Sequence, residues 1–491
     1  MKKVISILIA GMMILGLLAI YPVSAEETPE EYYPDYSWYD PEKDEFILTN
    51  EAQILGFGYI SSLYPGADFA GKTVKLGDNI VLNAGNAADW ENDPPVNIMT
   101  PVSTFAGTFD GQGYSISGVY TDGSSRKMGL LFNTLSGNAC IKDLAILNSY
   151  LVTGSVDGGI AGRIVEATEV RFENVYVDVL MYGDAWEAGG FVGNDHGANQ
   201  RVVFENCVFA GEFKMPKEEA YIGGFIGNAS YHTSGTIEFT NCLNLGTICG
   251  QKRVGGLVGW GAGITIDKCV NLGRIVGDES GSKLIGGLIG ESYAADKGCT
   301  NITDSYVATD VMTNALHAES GNTAAGNLSS EATCEYTEIT TDSVLGDAAK
   351  TVMDKLDWEN TWATVENGLP TLKVVLALFA TAAEGPTDES ASTGEDSTTG
   401  ESGSEEDPVT GESGSDENPT TDETTGEESS GTVGEESSAT ETPAVVTDPV
   451  TTTGPSSSAK PKGGCGSSIA IGGVAMICIG AVVLLVKKKE D

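Results

Sequence analysis

A short glycine element recurs along the middle of this chain at nearly constant spacing. Each copy has two glycines, an apolar residue, a variable residue and a third glycine, and the copies occupy 158–162, 189–193, 223–227, 255–259 and 286–290. Their first glycines are 31, 34, 32 and 31 residues apart. A unit of this size cannot bury its apolar side alone, so copies of it must stack on one another.

A second element follows each copy and indicates what kind of unit is stacked. An apolar residue stands three positions before a small or apolar one at 172–175, 204–207, 239–242, 266–269 and 302–305. Segments rich in Val, Ile and Phe, broken by Gly, Asn and Asp, are typical of strands and turns, and no helical period runs through them. The glycines fit a corner where the backbone has positive φ or approaches another backbone closely.

These repeats predict an all-β fold, a parallel β-solenoid of about 32-residue repeats with equivalent strands about 4.8 Å apart. An antiparallel propeller or sandwich is the alternative. That fold would need paired hairpin turns in every unit, and the sequence does not show them.

The repeats and their flanks resemble the GLUG repeats of Gram-positive surface proteins. The motifs that carry the resemblance are Trp38-Tyr39-Asp40-Pro41, Phe46-Ile47-Leu48-Thr49, a short helical stretch near 51–63, 105–113 and Gly368-Leu369-Pro370. The resemblance implies a right-handed β-helix on a cell surface, in an adhesin-like protein. Some members carry a zinc peptidase domain, whose HExxH motif this chain lacks, so the resemblance implies an architecture rather than an activity.

The two ends predict a single-pass protein of the cell membrane. Residues 1–25 combine a basic start, an apolar stretch and Val23-Ser24-Ala25, which is typical of a cleaved secretory signal peptide. Residues 467–486 are predicted to form a transmembrane helix, followed by Lys487-Lys488-Lys489 in a cytoplasmic tail at 487–491. The ectodomain is therefore expected outside the cell.

Composition divides the ectodomain further. Residues 384–459 hold 20 Asp+Glu but no aromatic residue, Lys or Arg, which predicts a disordered acidic stalk over 384–466. Upstream we predict an N-terminal cap and lead-in region at 26–104, repeats at 105–310 and a C-terminal cap region at 311–383. The aromatic opening is expected to cover the N-terminal end of the solenoid; it holds Tyr32, Tyr33, Tyr36, Trp38 and Tyr39.

Charge excludes one class of partner. Residues 26–464 carry 22 Lys+Arg against 68 Asp+Glu, a net charge of 22 − 68 = −46. Nucleic-acid affinity depends on basic residues that displace counterions, so no nucleic-acid partner is expected. Contact with the membrane is expected only through the C-terminal anchor.

Motifs for catalysis or cofactors are missing from the sequence. It has three histidines, and it contains no HExxH, GxSxG, P-loop or CxxC. Only the negative charge would support a calcium site, because the sequence contains neither an EF-hand loop nor a GGxGxD motif. A polysaccharide lyase or hydrolase could assemble its site in space, but residues 26–383 hold only 20 Lys+Arg against 48 acids for an anionic substrate. We therefore predict no enzyme, no cofactor and no metal site.

Two columns of like residues follow from the repeat. Cys207, Cys242 and Cys269 share one phase, so they are expected to stack as small buried thiols, with a redox or metal site as the alternative. A second column is formed by Asn174, Asn206 and Asn241, with Asp143 and Asp304 in phase. We interpret it as a ladder that closes turns through side-chain hydrogen bonds rather than as a ligand site.

A candidate ligand site lies after the glycine elements. Insertions of variable length at 194–201, 228–236, 260–263 and 291–300 share one phase, so stacking would line them along one edge. An extracellular glycan, or a protein of a host or neighbouring cell, would bind to the aromatic side chains of these insertions. A passive envelope scaffold without a ligand is the alternative. The predicted binding residues are His196, Tyr231, His232, Trp260 and Tyr293.

Overall fold

The computed structural model describes residues 31–123, 129–197, 200–215, 220–229, 235–277, 284–292, 300–313, 323–328 and 332–383. The predicted signal peptide, stalk, transmembrane helix and cytoplasmic tail lie outside these residues. No helix among the described residues is long and apolar enough to cross a membrane.

Parallel strands in three sheets form a solenoid, and from Val156 to Leu284 each turn begins in sheet 2, continues in sheet 3 and ends in sheet 1. Sheet 1 has 20 strands: Glu45–Leu48, Thr73–Leu76, Ile80–Val81, Thr108–Asp110, Ser115–Ser117, Tyr120–Thr121, Cys140–Thr153, Glu169–Gly183, Arg201–Glu205, Val208–Phe209, Glu212–Lys214, Thr236–Thr240, Leu243–Asn244, Thr247–Gly250, Ile264–Asp267, Val270–Asn271, Arg274–Gly277, Asn301–Ala308, Met312–Thr313 and Thr333–Ile339.

Two smaller sheets hold the other parallel strands that the structure describes. Sheet 2 has five strands: Val156–Gly158, Glu187–Gly189, Tyr221–Gly223, Arg253–Gly255 and Leu284–Gly286. Sheet 3 has eight strands: Val102–Phe105, Phe132–Gly137, Ala161–Ala167, Val192–Asp195, Ile226–Ala229, Val258–Gly261, Ile289–Ser292 and Gly326–Asn327. A separate antiparallel pair joins Trp362–Ala363 to Thr371–Leu372.

The register confirms the parallel solenoid predicted from the repeat. The first glycines of successive elements are direct partners, and the series runs Gly158, Gly189, Gly223, Gly255, Gly286. Parallel pairing also continues outside 105–310, from Glu45–Leu48 at one end to Thr333–Ile339 at the other.

Close approach of backbones explains the glycine element. A Cβ on Gly190 would lie 2.2 Å from the carbonyl oxygen of Gly224, and one on Gly224 would lie 2.2 Å from that of Gly256. Third glycines touch the neighbouring sheet 2 strand, so a Cβ on Gly227 would lie 2.5 Å from the backbone nitrogen of Ala188. None of these glycines has positive φ. Of the two explanations that the sequence left open, the structure shows close approach.

Aromatic rings stack along the interior in step with the turns. Phe172 and Phe204 are 4.7 Å apart with nearly parallel planes, and Phe204 and Phe239 are 4.8 Å apart. Phe191 and Phe225 form a second stack at 4.6 Å, edge-on to the first. These spacings match the strand separation of about 4.8 Å, so the rings pack wherever the repeat places the same residue type.

The predicted asparagine ladder is present. Asn174 donates to Asp143 at 2.8 Å, Asn206 to Asn174 at 3.2 Å, and Asn241 to Asn206 at 3.2 Å. All four residues have φ between 50° and 57°. Asn and Asp tolerate this left-handed conformation better than most residues, so the column both turns the chain and bonds the turns together. Lys268 continues the conformation but not the ladder, since its ammonium binds Asp267.

Two short helices close the N-terminal end, in the region where the resemblance implied helical structure. Helix α1 (Glu51–Phe57) begins at Asn50, whose side chain accepts from the Gln53 N–H, and helix α2 (Ile60–Leu63) follows. Phe57 of α1 packs on rings of the first turns, among them Phe105, Phe109 and Phe132. Of the opening aromatics, Trp38 and Tyr39 join this packing, while Tyr33 and Tyr36 are 76% and 47% exposed.

The segment 340–383, here named the C-terminal strap, lies along the side of sheet 1. It contains the 3₁₀ turn Thr341–Val344, helix α3 (Ala348–Val352) and helix α4 (Lys373–Ala383). The strap covers an outward apolar stripe of six residues on successive turns. In register order they are Ala145, Tyr176, Val208, Leu243, Val270 and Tyr306.

Contacts at its two ends show which way the strap runs. The Lys355 N–H donates to the Tyr306 hydroxyl at 3.0 Å on a late turn. The Phe379 ring packs edge-on against Tyr176 at 4.9 Å, and Asn79 donates to the Thr381 carbonyl at 3.1 Å on early turns. The strap therefore returns the chain toward the N-terminal end and shields apolar side chains that sheet 1 directs outward.

Candidate recognition surface

The structure separates the residues predicted to form one binding stripe. His196 is exposed directly after the strand Val192–Asp195, and its N–H donates to the Ile164 carbonyl at 2.9 Å. Trp260 lies within the strand Val258–Gly261, not in a loop, and its register partners on the two preceding turns are Asn228 and Asn194. His196 and Trp260 therefore do not share a column. Tyr231, His232 and Tyr293 lie outside the described residues.

Trp260 instead belongs to a compact group on the outer surface, here named the aromatic–arginine cluster: Tyr221, Arg253, Trp260 and Glu291. The Tyr221 and Trp260 ring centroids are 5.0 Å apart with planes inclined by 33°. The Arg253 guanidinium carbon lies 5.0 Å from the Tyr221 centroid and 4.8 Å from that of Trp260. Its Nε also donates to the Glu291 carboxylate. All four side chains are partly buried.

The glycine element brings these four residues together. Tyr221 pairs with Arg253 in sheet 2, and Trp260 pairs with Glu291 in sheet 3. Between Arg253 and Trp260 the element 255–259 folds the chain back, because its first and third glycines leave room for close backbone contact. Outward side chains on either side of this fold-back therefore meet across it. On the next turn of the solenoid, Glu291 extends the group along the solenoid axis.

A buried polar group continues the same column on the preceding turns. The Glu187 carboxylate accepts from the side-chain amides of Asn194 and Asn228, the latter at 2.7 Å. All three are at most 5% exposed. Burying a carboxylate without partners would be costly, and the two amides offset that cost. The column thus passes from a buried polar half to an aromatic and cationic half.

The cluster has the chemistry of a recognition surface. A guanidinium over an aromatic face contributes about 0.5–2 kcal/mol, depending on how far the pair is desolvated, so Arg253 holds both rings in place. Rings fixed in this way lose little entropy when a ligand covers them. Tyr and Trp also combine a flat apolar body with a polar edge, which suits sugars and protein hot spots alike.

Tyr221, Arg253 and Glu291 were not predicted from the sequence. Binding residues were expected after the glycine element, whereas Tyr221 and Arg253 stand two positions before its first glycine. A sequence signal for this site was available two positions before the first glycine of each copy. The residue type there varies from copy to copy while the glycines stay constant: Val156, Glu187, Tyr221, Arg253 and Leu284.

The thiol column lies in the core. Cys207, Cys242 and Cys269 are free and fully buried, and the Cys242 N–H donates to the Cys269 sulfur at 3.3 Å. Burial, with the two neighbouring thiols, raises the pKa of Cys242 well above its usual range, so the reactive thiolate does not form there. In the described ranges no three His, Cys, Asp or Glu side chains are grouped to hold a metal. Cys249, which lies outside the column, is disulfide-bonded.

The fold places this chain in the class of parallel β-solenoid proteins, here with the aromatic–arginine cluster in one column of side chains. Neither a family model nor a curated protein matches its sequence. A solved structure described as a candidate immunoglobulin A1 protease from Bacteroides ovatus is similar with a TM-score of 0.42 and 17% identity, over 67% of this chain and 92% of that one. A likeness of this degree carries no information on activity.

Proposed function

We propose that this chain is a surface-displayed, adhesin-like protein that binds an extracellular glycan or protein through the aromatic–arginine cluster. One observation carries the proposal: Tyr221, Arg253 and Trp260 hold two rings and a guanidinium together on the outer face of adjacent turns. Ligand-binding side chains on a rigid scaffold are the usual arrangement in repeat proteins.

The proposal includes how the solenoid is displayed. Residues 1–25 direct secretion, 384–466 form an extended acidic stalk, and 467–486 anchor the chain in the cell membrane with the ectodomain outside. We also propose the right-handed winding and GLUG-like repeat type that the motifs between Trp38 and Pro370 imply. The stalk would carry the binding surface away from the bilayer toward a partner on another surface.

The alternative is a passive envelope scaffold, and one observation favours it. Arg253 lies over both rings and Glu291 neutralises it, so the cluster already pairs its own charges. Under this alternative the cluster would only stabilise the turns. Its replacement would then change stability and leave every binding signal as it was.

Arrays of glycans and of extracellular matrix proteins, probed with the full chain, test the proposal and distinguish its two ligand classes. The double variant Tyr221→Ala, Trp260→Ala should weaken binding to any ligand found by at least about tenfold, because the loss of two ring contacts costs more than about 1.4 kcal/mol. Tyr182→Ala serves as the matched control, since Tyr182 is 38% exposed and lies on sheet 1, outside the cluster.

Two results would contradict the proposal. One is the absence of any reproducible ligand on either array. The other is an affinity that the double variant leaves unchanged while its thermal unfolding shows a folded protein. A decrease in stability alone, without a ligand on the arrays, would support the scaffold.

A further inference from the structure

A pocket lies at the N-terminal end of the solenoid, away from the aromatic–arginine cluster. It is open to solvent, has a volume of about 470 Å³ and forms where α2 ends and the chain enters 64–72. Ligand sites commonly measure roughly 300–1,000 Å³ and combine apolar walls with a few polar groups. Its lining includes Tyr39, Leu63, Tyr64, Asp68, Phe69 and Lys72.

Two tyrosines and a phenylalanine form the aromatic wall. The Tyr39 and Tyr64 centroids are 4.8 Å apart at 58°, and Phe69 packs edge-on to Tyr39 at 5.4 Å. Tyr39 and Phe69 are buried, whereas Tyr64 is 38% exposed and so presents ring surface at the opening. Phe69 has φ of 62°, an unusual conformation for a bulky residue, and its buried ring lines the pocket.

The ring of Tyr39 is packed in the wall, while its hydroxyl makes no hydrogen bond to a described residue and is accessible at the pocket. Tyr39 is only 7% exposed, and no hydrogen bond from its hydroxyl reaches any residue that the structure describes. Burial, the Tyr64 hydroxyl and the Asp68 carboxylate all raise the pKa of Tyr39, so the group stays protonated and lies near both neighbours. A hydroxyl that no described residue engages at an open pocket is available to donate to a ligand.

The Asp68 carboxylate can accept a further hydrogen bond at the pocket. One Asp68 oxygen accepts from the Ala70 N–H at 3.0 Å, and no hydrogen bond to the other is found among the described residues. Lys72 does not neutralise Asp68, because its ammonium binds the Pro41 carbonyl at 2.9 Å and lies 3.6 Å from Asp44. The pocket therefore offers hydroxyl donors and a carboxylate acceptor beside exposed ring surface.

We propose that this pocket binds a single neutral sugar ring. A sugar hydroxyl both donates and accepts, so it can accept a hydrogen bond from the Tyr39 hydroxyl and donate one to the Asp68 carboxylate, while the ring packs on Tyr64. An organic ammonium ion would satisfy Asp68 but cannot accept from Tyr39, and an anion would be repelled by Asp68. The pocket shares no residue with the aromatic–arginine cluster, so the proposal for one site can be contradicted while that for the other stands.

Titration of the full chain with methyl glucoside, methyl galactoside, methyl mannoside and methyl N-acetylglucosaminide tests the proposal by saturation-transfer NMR. At least one should bind saturably, with a dissociation constant on the order of millimolar for a ligand of this size. Tyr39→Phe keeps the ring and removes the hydroxyl, so it should weaken binding about fivefold. Asp68→Asn keeps the shape and should weaken binding about tenfold, because a charged acceptor is lost.

Tyr36→Phe is the matched control, since Tyr36 is 47% exposed and lies outside the pocket lining, and it should leave binding unchanged. Three outcomes would overturn the proposal: no saturable signal with any of the four glycosides, an affinity that neither pocket variant changes, or saturable binding of tetramethylammonium that depends on Asp68 but not on the Tyr39 hydroxyl. The aromatic–arginine double variant should bind the glycoside as the natural chain does.

Discussion

The side-chain amide of Asn206 donates to the side-chain oxygen of Asn174 on the preceding turn at 3.2 Å, and both residues have positive φ. Asn206 thus turns the chain and bonds one turn to the next. Asn206→Ala should lower the free energy of unfolding by about 2–4 kcal/mol, through left-handed strain and unsatisfied neighbours. Asn206→Gly removes the bonds but not the conformation, so it should cost about 1–2 kcal/mol less. Urea unfolding measures both, and equal losses would contradict this explanation.

The middle glycine of each element should tolerate no side chain. A Cβ on Gly224 would lie 2.2 Å from the Gly256 carbonyl oxygen, which is backbone and cannot rotate away. Gly224→Ala should therefore lower the free energy of unfolding by at least about 3 kcal/mol or prevent folding. Gly154→Ala is the matched control, because nothing lies within 4 Å of its Cβ position. Its effect should stay within about 1 kcal/mol. Circular dichroism during thermal unfolding compares the two, and a harmless Gly224→Ala would be inconsistent with the stacking.

The parts of the fold that repeat were predictable from the sequence, and the parts that do not repeat were not. The glycine and asparagine columns follow from spacing, because a stacked unit places equal phases side by side. The strap at 340–383 has no period, and its contact stripe was hidden inside strands: Tyr176, Leu243 and Val270 are apolar at an outward phase. Apolar residues at this outward position on successive turns were the sequence signal that another segment covers this face of sheet 1.

The candidate site was predicted only in part, for a related reason. Trp260 was selected from the sequence, but its neighbours Tyr221 and Arg253 were not. Contact between them depends on the fold-back at 255–259 and on Trp260 lying in a strand, whereas the insertion pattern had placed Trp260 in a loop at 260–263. Sequence spacing gives the order of side chains along the axis but not which pairs meet across a turn.

The C-terminal strap should contribute stability through its buried side chains. Leu378 of α4 is 3% exposed in the cluster that covers the outward stripe. Leu378→Ala should lower the free energy of unfolding by about 2–4 kcal/mol, since it leaves a cavity against sheet 1. Ala377→Ser changes the neighbouring exposed position and should cost less than about 0.5 kcal/mol. Limited proteolysis should cleave the Leu378→Ala strap earlier than that of the control. Similar cleavage of both variants would indicate that the strap is not held by this packing.

An ion-pair network should make stability fall in acid. Arg201 binds Glu169 at 2.6 Å and Glu238 at 2.8 Å, and these bonds hold the pKa of both carboxyls below their ordinary value. A lowered folded pKa contributes stability above the unfolded value, about 4.3, and loses it as pH falls through the folded pKa. The free energy of unfolding should therefore decrease between about pH 5 and 3, and Arg201→Gln should flatten this decrease.

The size of this effect should depend on salt. The side chains of Glu169 and Arg201 are 33% and 41% exposed, so solvent screens the pair and added salt should reduce the difference between the two proteins. Arg274→Gln is the control, because no ion pair links Arg274 to a described residue. An acid profile that Arg201→Gln and Arg274→Gln change equally would refute the role of the network.

The most direct test of the account measures whether successive turns stack in parallel. One outward position of sheet 1 runs from Lys75 through register partners to Glu205, Asp267 and Thr303, which are four, six and seven turns away. Spin labels carried by an unnatural amino acid at Lys75 and at each of the other three should give pulsed-EPR distances of about 19, 29 and 34 Å, at about 4.8 Å per turn. Distances that do not rise linearly with turn number would contradict the solenoid and, with it, the outer column on which the proposed function rests.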